Sequence, residues 1–298
     1  MPTSKKKNFL EQFAVTGKGR FSLAKRSTEI GKLYKDKKDY RDQLEELREQ
    51  IDELQHMMYA HDRYALLAVF QAMDAAGKDG TIRRVFTGVN PHGLQLYAFK
   101  KPSDRELDHG FMWRTNQFMP ERGRIGVFNR SYYEEVLVVR VHEEILQKYQ
   151  RVPEEFTKNL SRVWKQRYED IKNFELYAHR NGTRVMKFFL NVSKEEQGRR
   201  FLARIDEPEK NWKFSEADIK ERGYWDDYMR AYQDCIKATA APHAPWYVIP
   251  ADDKWNMRLI VARLILNELE QLDIHFPKVT PARRKELQEI RKGLSEKL

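Results

Sequence analysis

The sequence predicts an α/β protein: a three-layer sandwich with a five-stranded parallel sheet between helices and a helical arm ahead of it. Three observations predict it. Apolar β-like runs alternate with helix-patterned segments from about residue 64 to residue 272, the pattern of strands joined by helical crossovers. One run, Tyr64–Phe70 (YALLAVF), is continuously apolar, as a strand covered on both faces is. It breaks directly into a small-residue turn ending Gly77-Lys78 and then into a helix-like segment.

In chain order, Met1 to about Lys38 is polar, basic and weakly periodic, and is expected to be an arm docked on the body, with part of it disordered. Tyr40, Leu44, Leu47, Ile51, Leu54 and Met58 alternate spacings of four and three, an apolar seam on one long helix. Residues 1–58 therefore form an arm and a helix packed on the core, residues 59–275 the main domain, and residues 276–298 a helical tail. The strands are Tyr64–Phe70, Leu94–Phe99, Arg124–Phe128, Val185–Val192 and Trp246–Ile249. The helices are Thr81–Phe86, Arg105–Phe118, Pro153–His179, Lys194–Arg204, Glu216–Thr239 and Asp253–Leu272, with Pro153 and Lys194 near natural helix starts.

The 298 residues, 41% of them hydrophobic, suffice for one large domain with appendages. Lys and Arg total 55 against 45 Asp and Glu, so the net charge of +10 favours a polyanionic partner. Charge alone does not choose among nucleic acid, an anionic membrane surface and a polyphosphate. No run is long enough to span a membrane and no apolar signal core follows the basic N-terminus, so a cytoplasmic protein is expected. Cys235 is expected to be a buried, inert thiol. The eight histidines show no paired metal-ligand spacing and no Ser-His-Asp motif is present, which disfavours zinc and acyl-transfer chemistry.

In open parallel sheets ligands sit beyond the carboxyl ends of strands. After Tyr64–Phe70 come Ala75, Ala76, Gly77, Lys78, Asp79, Gly80 and Thr81, where small residues let backbone N–H groups curl around an anion and Lys78 adds a mobile charge. Against the pattern G-x-x-x-x-G-K-[ST], Ala72 replaces the first glycine and Asp79 the Ser or Thr. The alternative is a strand-to-helix turn with a surface lysine. The run Ile125–Val136 delivers Asn129, Arg130, Ser131 and Glu134 to the same edge. Arg130 suits a forked grip on phosphate oxygens. A plain helix start, with Ser131 and Glu134 as a capping box, is compatible with such a site. Arg199, Arg200 and Arg204 share one helix, with Lys210 and Lys213 beyond it. On composition alone they are a solvated face balanced by Asp206, Glu207 and Glu209.

Four ordered blocks, QAMDAAGKDG at 71–80, FNRSYYEEVLVVRVH at 128–142, FFLNVSKEEQGRRFLARIDEPEKNWKFSEAD at 188–218 and APWYVIPADDKW at 244–255, resemble the polyphosphate kinase 2 family. The resemblance spans roughly Phe21 to Leu272. It implies a P-loop kinase-like fold with a helical lid at about 199–222. It further implies Mg²⁺, or Mn²⁺, and reversible transfer of the terminal phosphoryl group of inorganic polyphosphate to AMP or ADP, giving ADP and ATP. It would place Asp74 beside the transferred phosphate as metal ligand, and Lys78, Arg130 and Glu134 with it in the catalytic set. Asn129, Arg130 and Ser131 would meet the nucleotide. Arg83, Lys100, Lys101, Arg199, Arg200, Arg204, Lys210 and Lys213 would meet the polyphosphate, with Arg105 and Arg122 as further candidates along its track. Many members have Asp-Arg-Ser where this chain has Asn129-Arg130-Ser131. The run Asn-Arg-Ser-Tyr-Tyr-Glu-Glu resembles the subgroup that accepts both AMP and ADP. A homo-oligomer is expected, and neither nucleic acid nor membrane. The rivals are an ATP-dependent nucleoside monophosphate kinase and a nucleic-acid-binding P-loop protein.

Overall fold

The structure, a computed structural model, describes residues 9–296; the first eight residues of the arm, with the disorder expected there, and the last two of the tail lie outside the described residues. In chain order the main elements are Ala14–Val15 (β1), Lys37–His61 (α1), Ala65–Gln71 (β2), Lys78–Phe86 (α2), Leu94–Ala98 (β3), Ile125–Asn129 (β4), Leu160–Arg180 (α3), Thr183–Asn191 (β5), Lys194–Asp206 (α4), Glu216–Gly223 (α5), Trp225–Thr239 (α6), Trp246–Pro250 (β6), Lys254–Glu270 (α7) and Pro281–Ser295 (α8).

The five expected strands are present and pair in parallel, with Leu66 beside Ile125 on one side of β2 and Arg184 on the other. The sheet nevertheless has six strands, in the order β1-β6-β5-β2-β4-β3. The sixth is β1, two residues of the arm that pair antiparallel with β6 through Ala14 and Tyr247. So short a strand has no period of its own, and only the open edge of β6 makes it one.

α7 packs on α1, α2 and β6, whereas α3 and α6 pack on each other. Right-handed crossovers put these two groups on opposite faces of the sheet. α1 starts at Asp36, whose side chain accepts the N–H groups of Lys38 and Asp39. Its seam buries Tyr40, Leu44, Ile51 and Met58 against the body, each worth about 1.5–3 kcal/mol of transfer free energy.

Three expected helices are interrupted. The stretch 105–118 is two single turns, Asp104–Leu107 and Trp113–Asn116, the first closed by a capping box between Ser103 and Glu106. Asn159 caps α3 and separates it from a turn at Glu154–Thr157. Tyr224 divides 216–239 into α5 and α6. At Asn159 a short polar side chain satisfies a backbone N–H locally and starts a new helix within an unbroken helical pattern.

One polar network lies inside the α3 layer. Lys187 of β5, fully buried, donates to the Glu175 carboxylate of α3 at 2.5 Å and to the Thr239 carbonyl at 2.9 Å. The other carboxylate oxygen accepts from Tyr132 and Tyr133 hydroxyls at 2.9 and 2.8 Å. This ties the turn after β4 to the sheet. No helix among the described residues is long and apolar enough to cross a membrane.

Candidate active site

The parallel strands all end at one edge, where the segments after β2, β3 and β4, the second half of α4, the stretch 210–218 and the start of α7 wall an open cleft of 690 Å³. Lys78, Lys100, Lys101, Arg130, Arg200, Arg204, Lys210, Lys213 and Lys254 line it, against Asp74, Asp79 and Asp218. That excess of positive charge gives the cleft a field that attracts anions.

The loop after β2 curls through two left-handed residues, Ala75 (φ +59°) and Gly77 (φ +104°). Gly77 caps α2 without a side chain, which leaves the first helical N–H groups free for an anion. Lys78 folds over this loop and donates to the carbonyls of Ala72 at 2.7 Å and Met73 at 3.5 Å. Burial, and then the neighbouring Arg130, push its ammonium below the ordinary lysine range. Gly80 and Thr81 follow in the first turn of α2, and the Thr81 hydroxyl is buried with no hydrogen-bond partner.

Arg130, at φ +64°, donates its backbone N–H to the Phe70 carbonyl, which carries the β2–β4 pairing one step past the strand. Its guanidinium lies between two carboxylates, 3.1 Å from Asp74 and 3.8 Å from Glu134. Glu134 above all, with Asp74, raises its pKa further. Glu134 also accepts from Gln71 at 2.7 Å, and Asn129 donates to the Asp79 carboxylate at 2.6 Å. The expected capping box does not form. Ser131 alone caps the 3₁₀ turn Tyr132–Val136 by accepting from the Tyr133 N–H, and Glu134 is turned toward Arg130 instead. Ser131 is buried and lines no part of the cleft.

Behind the Asp74–Arg130 pair is a second cavity of 130 Å³, reaching Glu134, Gln197, Tyr228 and Tyr232. Asp74 and Arg130 line both cavities.

The residues expected to form a lid divide by direction. Arg200 is 6% exposed and does not reach outward. It donates to the carbonyls of Ala75 (3.2 Å), Ala76 (2.7 Å), Ala251 (2.6 Å) and Asp252 (3.0 Å), and to Glu196 (2.8 Å). All five N–H donors are thereby used, so the side chain clamps the loop after β2 from behind. Arg204 pairs with Asp218 at 3.2 Å, Lys210 with Glu207, and Lys213 stacks 4.9 Å over the exposed Trp212 ring. Arg199 pairs with Glu196 and, like Arg83, is exposed outside the cleft lining. Lys100 and Lys101 line the cleft directly after β3. Arg105 stacks on Trp113 outside the lining. Arg122 lies at the opposite edge of the sheet, where it donates to the carbonyls of Arg63 and Asn181 ahead of β2 and β5. It therefore leaves the expected track.

Several site residues escaped the sequence reading. Gln197 donates to the Asp74 carbonyl at 2.9 Å and accepts from Arg222 at 2.7 Å, which links α5 to the loop after β2. Burial, and then the charge of Asp74, push the Asp218 carboxyl up. Gln71 and Lys254 stand at strand ends, where the strand-end rule would have found them; Gln197, Arg222 and Asp218 carry no such signal.

No group of three or more His, Cys, Asp or Glu among the described residues forms a metal cage. The carboxylates that line the cleft, Asp74, Asp79 and Asp218, offer hard oxygens. They fit Mg²⁺ or Mn²⁺, cations bound through one or two carboxylates with phosphate and water completing the shell.

A family model described as Polyphosphate kinase 2 (PPK2) matches residues 34–277. The chain is 54% identical over 286 residues, 95% of its length and 98% of the relative's, to a Rhodopseudomonas palustris protein named ADP-polyphosphate phosphotransferase. It is 38% identical over 277 residues, 93% and 98% of the two lengths, to a Meiothermus ruber protein named AMP/ADP-polyphosphate phosphotransferase. The crystal structure of Polyphosphate Kinase 2 from Arthrobacter aurescens TC1 superposes with a TM-score of 0.82 at 38% identity, covering 94% of this chain and 96% of that one. Matched nearly end to end in sequence and in fold, the chain belongs to the polyphosphate kinase 2 family.

Proposed function

We propose that this protein moves the terminal phosphoryl group of inorganic polyphosphate onto AMP and ADP, forming ADP and ATP, reversibly and in the cytoplasm. One observation carries the proposal: Asp74 and Arg130 form a wall shared by a cation-lined cleft and a second cavity, so a group held against that wall is reachable from two sides. The names of the Rhodopseudomonas and Meiothermus relatives, which specify ADP and AMP/ADP, support the acceptors.

Phosphoryl transfer asks a protein for positioning and charge more than for covalent chemistry. An acceptor phosphate oxygen attacks the terminal phosphorus, the bond to the bridging oxygen breaks, and the polyphosphate leaves one unit shorter. Lys78 exchanges the Ala72 carbonyl for a phosphoryl oxygen, and the N–H groups opening α2 take the others. Arg130, oriented by Glu134 and Asp74, spans acceptor and transferred group. Lys100, Lys101, Lys210 and Lys213 hold the donor chain along the cleft. A divalent cation on Asp74, with Asp79 nearby, would neutralise phosphate oxygens.

The test is product formation from purified protein with Mg²⁺ and long-chain polyphosphate, AMP and ADP offered separately and ATP omitted. Product from both acceptors is expected. Product from ADP alone removes the AMP half, and no product without ATP as donor refutes the proposal in favour of an ordinary nucleotide kinase. Asp74→Ala and Lys78→Ala should abolish transfer with the unfolding midpoint retained; normal turnover in either overturns the site assignment.

A further inference from the structure

The C-terminal helix α8 stands away from the body, with every residue from Phe276 to Glu296 exposed. Leu287, Ile290 and Leu294, three and four apart, are 41%, 48% and 59% exposed and share one face. A lone helix of this length is marginal in water, so its apolar stripe calls for a cover. Arg283, Arg284, Lys285, Arg291 and Lys292 against Glu286 and Glu289 give α8 a charge of +3.

The complement is on the same molecule. Between α6, the turn Leu23–Lys25 and the turn Val138–Val141 lies a groove of 900 Å³ with Leu23, Val141, Met229 and Ala231 among its apolar lining. Five acids line it, but Asp234 pairs with Arg140 and Asp227 with Arg230. Glu143 and Asp226 are in no ion pair among the described residues and Glu144 meets only the His142 ring, at 3.6 Å, so the lining Asp, Glu and Arg side chains sum to −3 in a protein that is +10 overall.

We propose that α8 of one copy docks in this groove of a second copy. The groove lies along α6, on the opposite face of the sheet from α7, out of which the tail runs. The tail is held on its own side at His275, whose backbone hydrogen-bonds the His61 ring at the end of α1. The contact is therefore made between copies. Pairing of two tails would bring +3 against +3, whereas tail and groove bring +3 against −3. A reciprocal exchange, each tail in the other's groove, closes with two-fold symmetry and doubles the buried area.

The test uses full-length protein in which the one native cysteine, Cys235, is buried. A chain carrying Ala24→Cys is mixed with a chain carrying Ile290→Cys and treated with a short bismaleimide. A covalent heterodimer that needs both cysteines is expected. Its yield should fall about tenfold with Glu143→Lys/Asp226→Lys in the first chain and recover when the second carries Arg284→Glu/Lys285→Glu. No heterodimer, or one indifferent to the groove charges, overturns the proposal. So does monomeric protein that sediments with anionic vesicles through Leu287 and Ile290, which would make α8 a membrane-surface helix. The readout is association, so it stands or falls independently of the catalytic proposal.

Discussion

Replacing Arg200 by methionine keeps the length of the side chain and deletes all five donors. In the folded protein those donors meet four carbonyls and one carboxylate at 2.6 to 3.2 Å, and the guanidinium is almost wholly buried. Hydrogen bonds from a charged donor contribute about 1.5–3 kcal/mol each. They do not add, because the buried guanidinium also carries a desolvation cost, the first cause of its lowered pKa. Breaking a buried charged partnership on one side costs about 3–5 kcal/mol, and Glu196 retains Arg199. With a urea slope of ~3 kcal/mol/M, the unfolding midpoint should fall by roughly 1 M or more. Ala75 and Ala76 lose the contacts that hold Ala75 left-handed, a conformation costing ~1–2 kcal/mol. The cradle then relaxes, and a displacement of about 1 Å there should lower kcat about 100-fold. Arg200→Lys, which keeps the charge and loses the fork, should resemble methionine rather than wild type. Urea unfolding and steady-state turnover measured on the same preparations decide the matter. If Arg200→Met unfolds within ~0.5 kcal/mol of wild type while only the KM for polyphosphate rises, the guanidinium touches substrate and is not a clamp.

The buried pair beneath the site behaves differently from a surface ion pair. Lys187→Met leaves the Glu175 carboxylate with two tyrosine hydroxyls alone and should cost about 3–5 kcal/mol, whereas Lys187→Met with Glu175→Gln should recover at least half; a double variant no better than the single one refutes the pairing. For Lys78 the sign follows from burial, which lowers its pKa from 10.5 in the free protein, while bound phosphate favours the charged form. As pH rises through that lowered value the ammonium is lost, so KM for polyphosphate should climb at a lower pH than an ordinary lysine would cause, with kcat at saturation changing less. The same alkaline limb persisting in Lys78→Arg would assign it to another group.

Much of the fold was legible because its determinants are local. The run YALLAVF, the turn to Gly77 and the seam from Tyr40 to Met58 carry their periods within a few residues, and each formed the element it specified. The interrupted helices were misjudged where the cap at Asn159 intervened and where the chain leaves the helix between Leu107 and Trp113, since a helical pattern of apolar residues does not show where the backbone stops. Glu134 shows the same limit at the site: its spacing from Ser131 suits a capping box, but Gln71 and Arg130, brought alongside by the β2–β4 pairing, draw it away.

The sequence by itself determined the parallel sheet, the small-residue turn after its first long strand, and the four blocks that mark the family, all of which depend on neighbours along the chain. The tertiary structure alone decided which way the basic side chains act. Arg199 and Arg200 are adjacent in sequence, yet one is in solvent and the other clamps a loop 125 residues away. Arg122 resembles Lys100 in charge but lies at the other edge of the sheet. A guanidinium is long and carries its charge on any face of a helix or loop, so its role is set by which carbonyls and carboxylates the packed fold brings within about 3 Å of it.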